Sequence, residues 1–282
     1  MKSLEKLNAK PSIDLHTHTS ASDGKWSPQD LINVAAAQKI QTLSVCDHET
    51  TANLKTLQLL ARMHGIQFIS GVEIAVEHRN KNYHLLLYGF NPESIKLQML
   101  LKETRQKLLE KRQTMALSLL RKGYDLEGLT VAHSTSPIYE LASALVEANT
   151  ALTFRQAWDI CRSVEPEMKV AQPLEKALAV GRCAGAVSIL AHPGRGGAET
   201  AVASDEVLKE MAGMGLEGIE GFYSGHSQEE TARLLQLGRK RNLLVSCGSD
   251  SHDEHKKPIA WNAELCRGLL ERLGIESSAL AA

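Results

Sequence analysis

The chain has 282 residues, of which 43% are hydrophobic and 23% charged, the balance of a soluble globular protein long enough to bury a sizeable core. A formal net charge of −1 excludes a global field that attracts nucleic acid or an anionic membrane, so any such recognition has to be local. Cys46, Cys161, Cys183, Cys247 and Cys266 are odd in number and lack a C-x-x-C pair, which excludes a disulfide scaffold or zinc ribbon and fits buried thiols in a reducing compartment.

Met1 to Pro11 carries lysines but no apolar stretch of a signal peptide, and no later run approaches the roughly 18 apolar residues of a membrane span. A cytoplasmic protein without a membrane partner is therefore expected. Short apolar runs then alternate with helix-period segments, the rhythm of βα units around a parallel sheet. Strands are expected over Ser12 to Leu15, Thr42 to Cys46, Gln67 to Ser70, His84 to Tyr88, Val187 to Leu190, Gly218 to Gly221 and Leu243 to Cys247. Between the first two, Ser27-Pro28-Gln29-Asp30 is a helix start, with Ser as N-cap and Pro in the first turn, followed by Leu31, Val34 and Ala35 as an apolar stripe.

The rhythm breaks from about Asn91 to Gln172. Ser94 to Lys122 reads as a helix, followed by shorter helices around Tyr139 to Ala148 and Thr153 to Ser163. The expected organisation is an α/β fold, an irregular seven-stranded (β/α) barrel whose first part is 12–90 and second part 173–282, with a helical insertion over 91–172 on its fourth loop. Lys102, Arg105, Lys107, Lys111, Arg112, Arg121 and Lys122 give the insertion a basic bias, which reads first as a solvated helix face and second as a phosphate-backbone contact surface. Aromatic content of 4% supplies no obvious base-stacking platform, so a stable long nucleic-acid partner is not expected.

The chemistry lies at the strand ends. His16 and His18 occur in Asp14-Leu15-His16-Thr17-His18; residues at i and i+2 of an extended segment face the same side and can grip one ion. Asp23 follows in Ser22-Asp23-Gly24, His48 in Cys46-Asp47-His48, Glu73 in Gly71-Val72-Glu73, and His84 after Tyr83. His192 lies in Ala191-His192-Pro193-Gly194, and Asp250 and His252 in Gly248-Ser249-Asp250-Ser251-His252. Imidazole and carboxylate without thiolate suit zinc, manganese or iron used as a Lewis acid, and donors from nearly every strand end favour a barrel over an open sheet. The expected strand over Gly218 to Gly221 is the exception, with His226 lying well beyond its end. His64, His78, His133 and His255, in polar surroundings, read as surface residues. Asp14 and Asp47 read equally as acceptors that orient neighbouring imidazoles or as structural carboxylates.

Together these segments resemble the PHP phosphoesterases, a family named for its occurrence with polymerases and histidinol phosphatase. The nearest likeness is to its small bacterial branch acting on 3′,5′-nucleotide bisphosphates and the 5′ ends of short RNAs. Ala144-Leu145-Val146-Glu147, Arg195 after Gly194, and Gly218-Ile219-Glu220 through Ser224-Gly225-His226-Ser227 add to the resemblance, which spans Ile13 to about Trp261. It implies the seven-stranded barrel and three divalent ions. His16, His18, Glu73 and Asp250 would hold one, Asp23 and His48 another, and Glu73, His84 and His192 would surround a third, with His252 also a ligand position. One departure concerns specificity: where the branch carries Arg-x-His, this chain has Ile138 and Glu140, which disfavours a second substrate phosphate nearby.

The expected function is metal-dependent hydrolysis of a phosphate monoester on a nucleotide, nucleoside bisphosphate or short RNA 5′ end, with clustered ions lowering the pKa of a bound water. Asp23, His48, His226 and His252 are the expected catalytic residues, and Arg195 and His226 the substrate-binding ones. Arg195 and His226 also admit a bland reading as a surface ion pair and a loop histidine, and His252 a reading as proton shuttle. The alternatives are an amidohydrolase on a similar metallo-barrel, against which no carbamylated-lysine candidate ends a middle strand, and a non-catalytic metal-binding module.

Overall fold

In a computed structural model of the chain, residues 11–126, 135–148, 152–197 and 200–275 are described. They divide into two compact units, Met1–Leu100 with Gln172–Ala282, and Leu101–Ala171.

The first unit carries the sheet. In chain order it has β1 (Ser12–Asp14), α1 (Pro28–Ala37), β2 (Thr42–Val45), α2 (Leu54–Met63), β3 (Gln67–His78), β4 (Lys81–Tyr88) and the start of α3 (Ile95–Arg121). After the second unit come β5 (Gln172–Pro173), α6 (Leu174–Cys183), β6 (Val187–Leu190), α7 (Asp205–Gly213), β7 (Gly218–Tyr223), α8 (Gln228–Arg241), β8 (Leu244–Gly248), β9 (Trp261–Asn262) and α9 (Arg267–Arg272). The order across the sheet is β8-β7-β6-β4-β3-β2-β1-β9, with β5 on β3. At and beyond the ends of β8 and β1 the chain makes further contacts, Leu15 N to Cys247 O at 3.2 Å, Asp250 N to His16 O at 2.7 Å and His18 N to Ser251 O at 2.8 Å. These bring the two ends together, so β1, β2, β3, β4, β6, β7 and β8 form the nearly closed, seven-stranded barrel expected from the sequence.

One strand departs from the βα rhythm. β4 is antiparallel to both β3 and β6. The cause is the Arg79-Asn80 connection, where both residues have positive φ (52° and 56°), the backbone of a two-residue hairpin turn. β3 consequently runs on to His78, well past the expected Ser70, and His84 enters from the first half of β4 rather than from a strand's C-terminal end.

Helix α1 begins as its sequence requires, with Ser27 Oγ accepting from Asp30 N at 3.1 Å. Its Leu31, Ile32 and Ala35 pack with Leu43 and Val45 of β2 and Leu57 and Ala61 of α2. A second cluster, Ile13, Leu15, Cys46, Leu86, Tyr88, Ile189 and Cys247, fills the barrel, where the buried Tyr88 hydroxyl donates to Leu15 O at 2.9 Å. Gly71 allows β3 to approach β2, because a Cβ there would meet Ser44 Oγ, Cys46 Sγ and Val45 O.

The second unit is helical in its described residues: most of α3, then α4 (Pro137–Ala148) and α5 (Phe154–Arg162). It has its own core of Met115, Leu119, Ile138, Leu141, Leu145, Ala157 and Cys161. Thr153 and Gln156 form a capping box at the start of α5. Ala144 and Leu145 of the motif stretch are part of this packing. His133 lies outside the described residues.

Candidate metal centre

His16 and His18 follow β1 and are fully buried on one side of the chain, while Leu15 enters the barrel core and Thr17 Oγ1 donates to Ser44 O at 2.9 Å. Parallel pairing of His48 with Glu73 aligns the end of β2 with the middle of β3; Glu49 N donates to Glu73 O at 2.9 Å. Glu73, fully buried, is the hub. Its Oε2 lies 3.0 Å from His16 Nε2, 3.2 Å from His18 Nε2 and 3.3 Å from His48 Nε2. Its Oε1 lies 2.9 Å from His84 Nδ1 and 3.2 Å from His192 Nε2.

Around this hub, ligand atoms gather into three interlocking groups, each within 4.8 Å: His18, Asp23, His48 and His252; His16, His18, Glu73 and Asp250; and His48, Glu73 and His84. His192 adjoins the third through Glu73 Oε1. All the expected metal-binding side chains therefore converge on one place.

The donor set fits cations. Among the described residues, both ring nitrogens of the buried His18 and Oδ1 of Asp23 have no hydrogen-bond partner, although carboxylates lie close to the first and imidazoles to the second. Polar atoms buried this way without a partner are costly unless a ligand satisfies them. The tautomers agree. His16 Nδ1 donates to Glu220 Oε1 at 3.0 Å and His252 Nδ1 to the Asp250 carbonyl at 2.9 Å, which turns each Nε2 lone pair inward. His192 and Asp250 hold positive φ values of 27° and 54°, a strain that packing sustains around this centre.

Without bound cations, the cluster polarises its own groups. Burial works against charge on His18, but the carboxylates of Asp250, Glu73 and Asp23 close around it raise its pKa to about 10. His16 is also raised well above the usual range, Glu73 and Glu220 overcoming burial. Glu73 and Asp250 are held well below the carboxylate range by the surrounding imidazoles, again against burial. His48 goes the other way, to about 4, because burial outweighs its carboxylates.

Several residues that the sequence reading left without a role complete the site. Glu220, fully buried in β7, pairs with His16 through one oxygen and accepts His192 N at 2.7 Å through the other. A carboxylate inside the apolar run Gly218-Ile219-Glu220-Gly221-Phe222-Tyr223 was its sequence signal. Gly248 makes room for this pair, since a Cβ there would meet His16 Cβ and Glu220 Oε1. Tyr223 and Lys256 join Arg195 behind Asp250, whose Oδ2 accepts from Arg195 Nη1 at 2.9 Å, Lys256 Nζ at 2.9 Å and Tyr223 Oη at 3.2 Å. Burial opposes charge on Lys256, but Asp250 raises its pKa, so the ammonium persists.

Both open aspartates have clear geometry. Asp14 accepts from His16 N, Ser249 N and Ile259 N at 3.3, 3.0 and 2.8 Å, a clamp on backbone rather than on an imidazole. Asp47 accepts from Thr19 N and Oγ1, both at 2.6 Å, and from Ser22 Oγ at 2.8 Å, pinning the loop that presents Asp23. β7 continues through Tyr223, bringing His226 nearer the strand than expected; Gly194 N donates to its Nε2 at 3.1 Å, which puts its proton on Nδ1. His64 and His255 are exposed, and His78 pairs with Glu210 at 3.1 Å. In the second unit, Ile138 is core, while Glu140 accepts from Thr135 N and Ser136 N and lies 3.1 Å from Arg112 Nε.

The chain is similar to known proteins. A 5′-3′ exoribonuclease of Haemophilus influenzae is 28% identical over 259 residues, 88% of this chain and 91% of that protein. A 3′,5′-nucleoside bisphosphate phosphatase of Chromobacterium violaceum is 27% identical over 256 residues, 86% of this chain and 87% of its own. The solved structure of a candidate metal-dependent phosphoesterase from Bifidobacterium adolescentis superposes with a TM-score of 0.78 at 25% identity, covering 93% of this chain and 96% of that one. No helix among the described residues is long and apolar enough to cross a membrane. Residues 14–169 match the PHP domain, and the chain belongs to that family.

Proposed function

We propose that this chain is a metal-dependent phosphoesterase that removes a phosphate monoester from a nucleotide, a nucleoside bisphosphate or the 5′ end of a short RNA. The observation that carries the reading is the buried Glu73 hub, with three donor groups sharing His18, His48 and Glu73. The names of the two relatives described above, an exoribonuclease and a nucleoside bisphosphate phosphatase, support it. Divalent cations bound there, manganese, zinc or iron and three in number, would supply Lewis acidity to activate a water and offset phosphate charge.

The chain's own residues have separable roles in this reading. His16, His18, Asp23, His48, Glu73, His84, His192, Asp250 and His252 hold the cations. Arg195, with half its side chain exposed, offers guanidinium N–H groups to phosphate oxygens. His226 acts through the loop it ties at Gly194, which carries Arg195. Cytoplasmic residence belongs to the same proposal, supported by the free, buried thiols of Cys46, Cys161, Cys247 and Cys266.

Phosphate release by metal-stripped protein reloaded with Mn²⁺ tests the reading across nucleoside monophosphates and bisphosphates, sugar phosphates, 5′-phosphorylated short RNAs and simple amides. Turnover of nucleotide or RNA phosphates is expected. Turnover of amides alone, or of nothing, overturns it in favour of an amidohydrolase or a binding module.

A further inference from the structure

The loop after β8 brings a lysine behind Asp250. Lys256 N donates to Asp253 O at 3.1 Å and His255 N to Asp253 Oδ1 at 3.0 Å, a tight turn that aims the Lys256 side chain inward. Its Nζ reaches Asp250 Oδ2 at 2.9 Å and Tyr223 Oη at 3.2 Å, 4.9 Å from the centre of the tyrosine ring. Arg195 Nη1 reaches the same two oxygens at 2.9 and 2.8 Å. The other oxygen of Asp250 faces His18 at 3.3 Å. One carboxylate thus separates the metal-ligand cluster from a pair of cations.

That pair exceeds what Asp250 needs. A single buried carboxylate is balanced by one cation, and this one is additionally surrounded by imidazoles on its inner side. The Arg195 and Lys256 side chains are 50% and 36% exposed, so donors not used on Asp250 and Tyr223 open to solvent beside the cluster. Two adjacent cations with outward donors match the charge and the oxygen geometry of a phosphate dianion. Neither Ile138 nor Glu140 supplies such a cation.

We propose that Lys256 is a substrate-binding residue which, with Arg195, forms a two-point clamp on the non-bridging oxygens of a dianionic phosphate. The proposal rests on the phosphoesterase reading and narrows it. A clamp of two cations favours a terminal monoester, which carries two charges, over an internal diester, which carries one.

Lys256→Met removes the charge and keeps most of the side chain's length, whereas Lys256→Arg keeps the charge. In Mn²⁺-loaded protein, Lys256→Met is expected to weaken calorimetric binding of inorganic phosphate by about 10- to 100-fold, the loss of one charge-assisted hydrogen bond, with bound manganese per chain unchanged. KM for a nucleotide monoester should rise by more than KM for a diester, and Lys256→Arg should retain most of the phosphate affinity. Unchanged phosphate affinity in Lys256→Met overturns the clamp, and so does a loss that follows loss of manganese, which would make Lys256 a support for Asp250 only. If no substrate is turned over yet phosphate binding still depends on Lys256, the clamp stands and the phosphoesterase reading falls.

Discussion

Glu220 Oε1 lies 3.0 Å from His16 Nδ1, on the far side of the ring from the Nε2 that faces Glu73. The carboxylate fixes the tautomer and orientation of a proposed metal ligand, and its other oxygen holds the backbone of His192, a second one. Glu220→Gln keeps shape and an acceptor for His192 N but loses the charge behind His16. Chelator competition should show metal affinity lower by about 10- to 100-fold with the fold retained. Equal affinity in variant and parent would mean that Glu220 only packs.

Asp23 and His48 share one donor group with His18 and His252 and sit where the cluster meets solvent, their side chains 26% and 14% exposed. Replacing either by Ala removes a proposed ligand without emptying the barrel core. Turnover should fall by about two orders of magnitude or more, with the thermal unfolding of metal-free protein little changed. Full activity in both variants would remove them from the site.

Protons and cations compete for the same lone pairs at His18. In the metal-free protein its folded-state pKa, raised to about 10 from 6.5, makes charging it a stabilising contribution, complete below pH 6.5 and lost as pH rises toward 10. Glu73 and Glu220 place His16 on the same side of the balance. Metal loading at neutral pH must therefore expel protons, and metal affinity should increase with pH through that window. Melting curves should show metal-free protein losing stability as pH rises, with loaded protein holding steady. Calorimetry in buffers of different ionisation enthalpy reads the released protons directly; an affinity independent of pH would contradict the competition.

The strands and most of the proposed ligands near their ends were legible because short apolar runs ending in His, Asp or Glu have a local signature. His16 and His18, the bounds of β6, those of β2 to within one residue, and the insertion helices all follow from spacing and period. The reversal of β4 was not legible, since alternating Tyr83, Leu85 and Leu87 carry no direction and the deciding signal is the backbone of Arg79 and Asn80. Lys256 was invisible for another reason: a lysine in a polar loop gains meaning only when folding brings Asp250 and Tyr223 to it. Glu220 had a signal, a charge within an apolar strand, but it lies inside β7 rather than at a strand end, where most of the other donors gather.

Ile138 and Glu140 were expected to bear on a second substrate phosphate, yet both have work inside the second unit. Ile138 is 2% exposed in its core, and Glu140 accepts from Thr135 N at 2.9 Å and Ser136 N at 3.2 Å at the start of α4 while facing Arg112, itself only 3% exposed. Removing the carboxylate withdraws an anion from a buried guanidinium and two acceptors from a helix start. Glu140→Ala should therefore cost about 2 kcal/mol of stability, less than for a fully buried pair because Glu140 is partly solvated. Glu140→His should be destabilising as well, and the ratio of its rates on nucleoside bisphosphates and monophosphates should stay that of the parent. Denaturant melts combined with a two-substrate assay decide the matter: a shifted ratio at unchanged stability would return Glu140 to the substrate pocket.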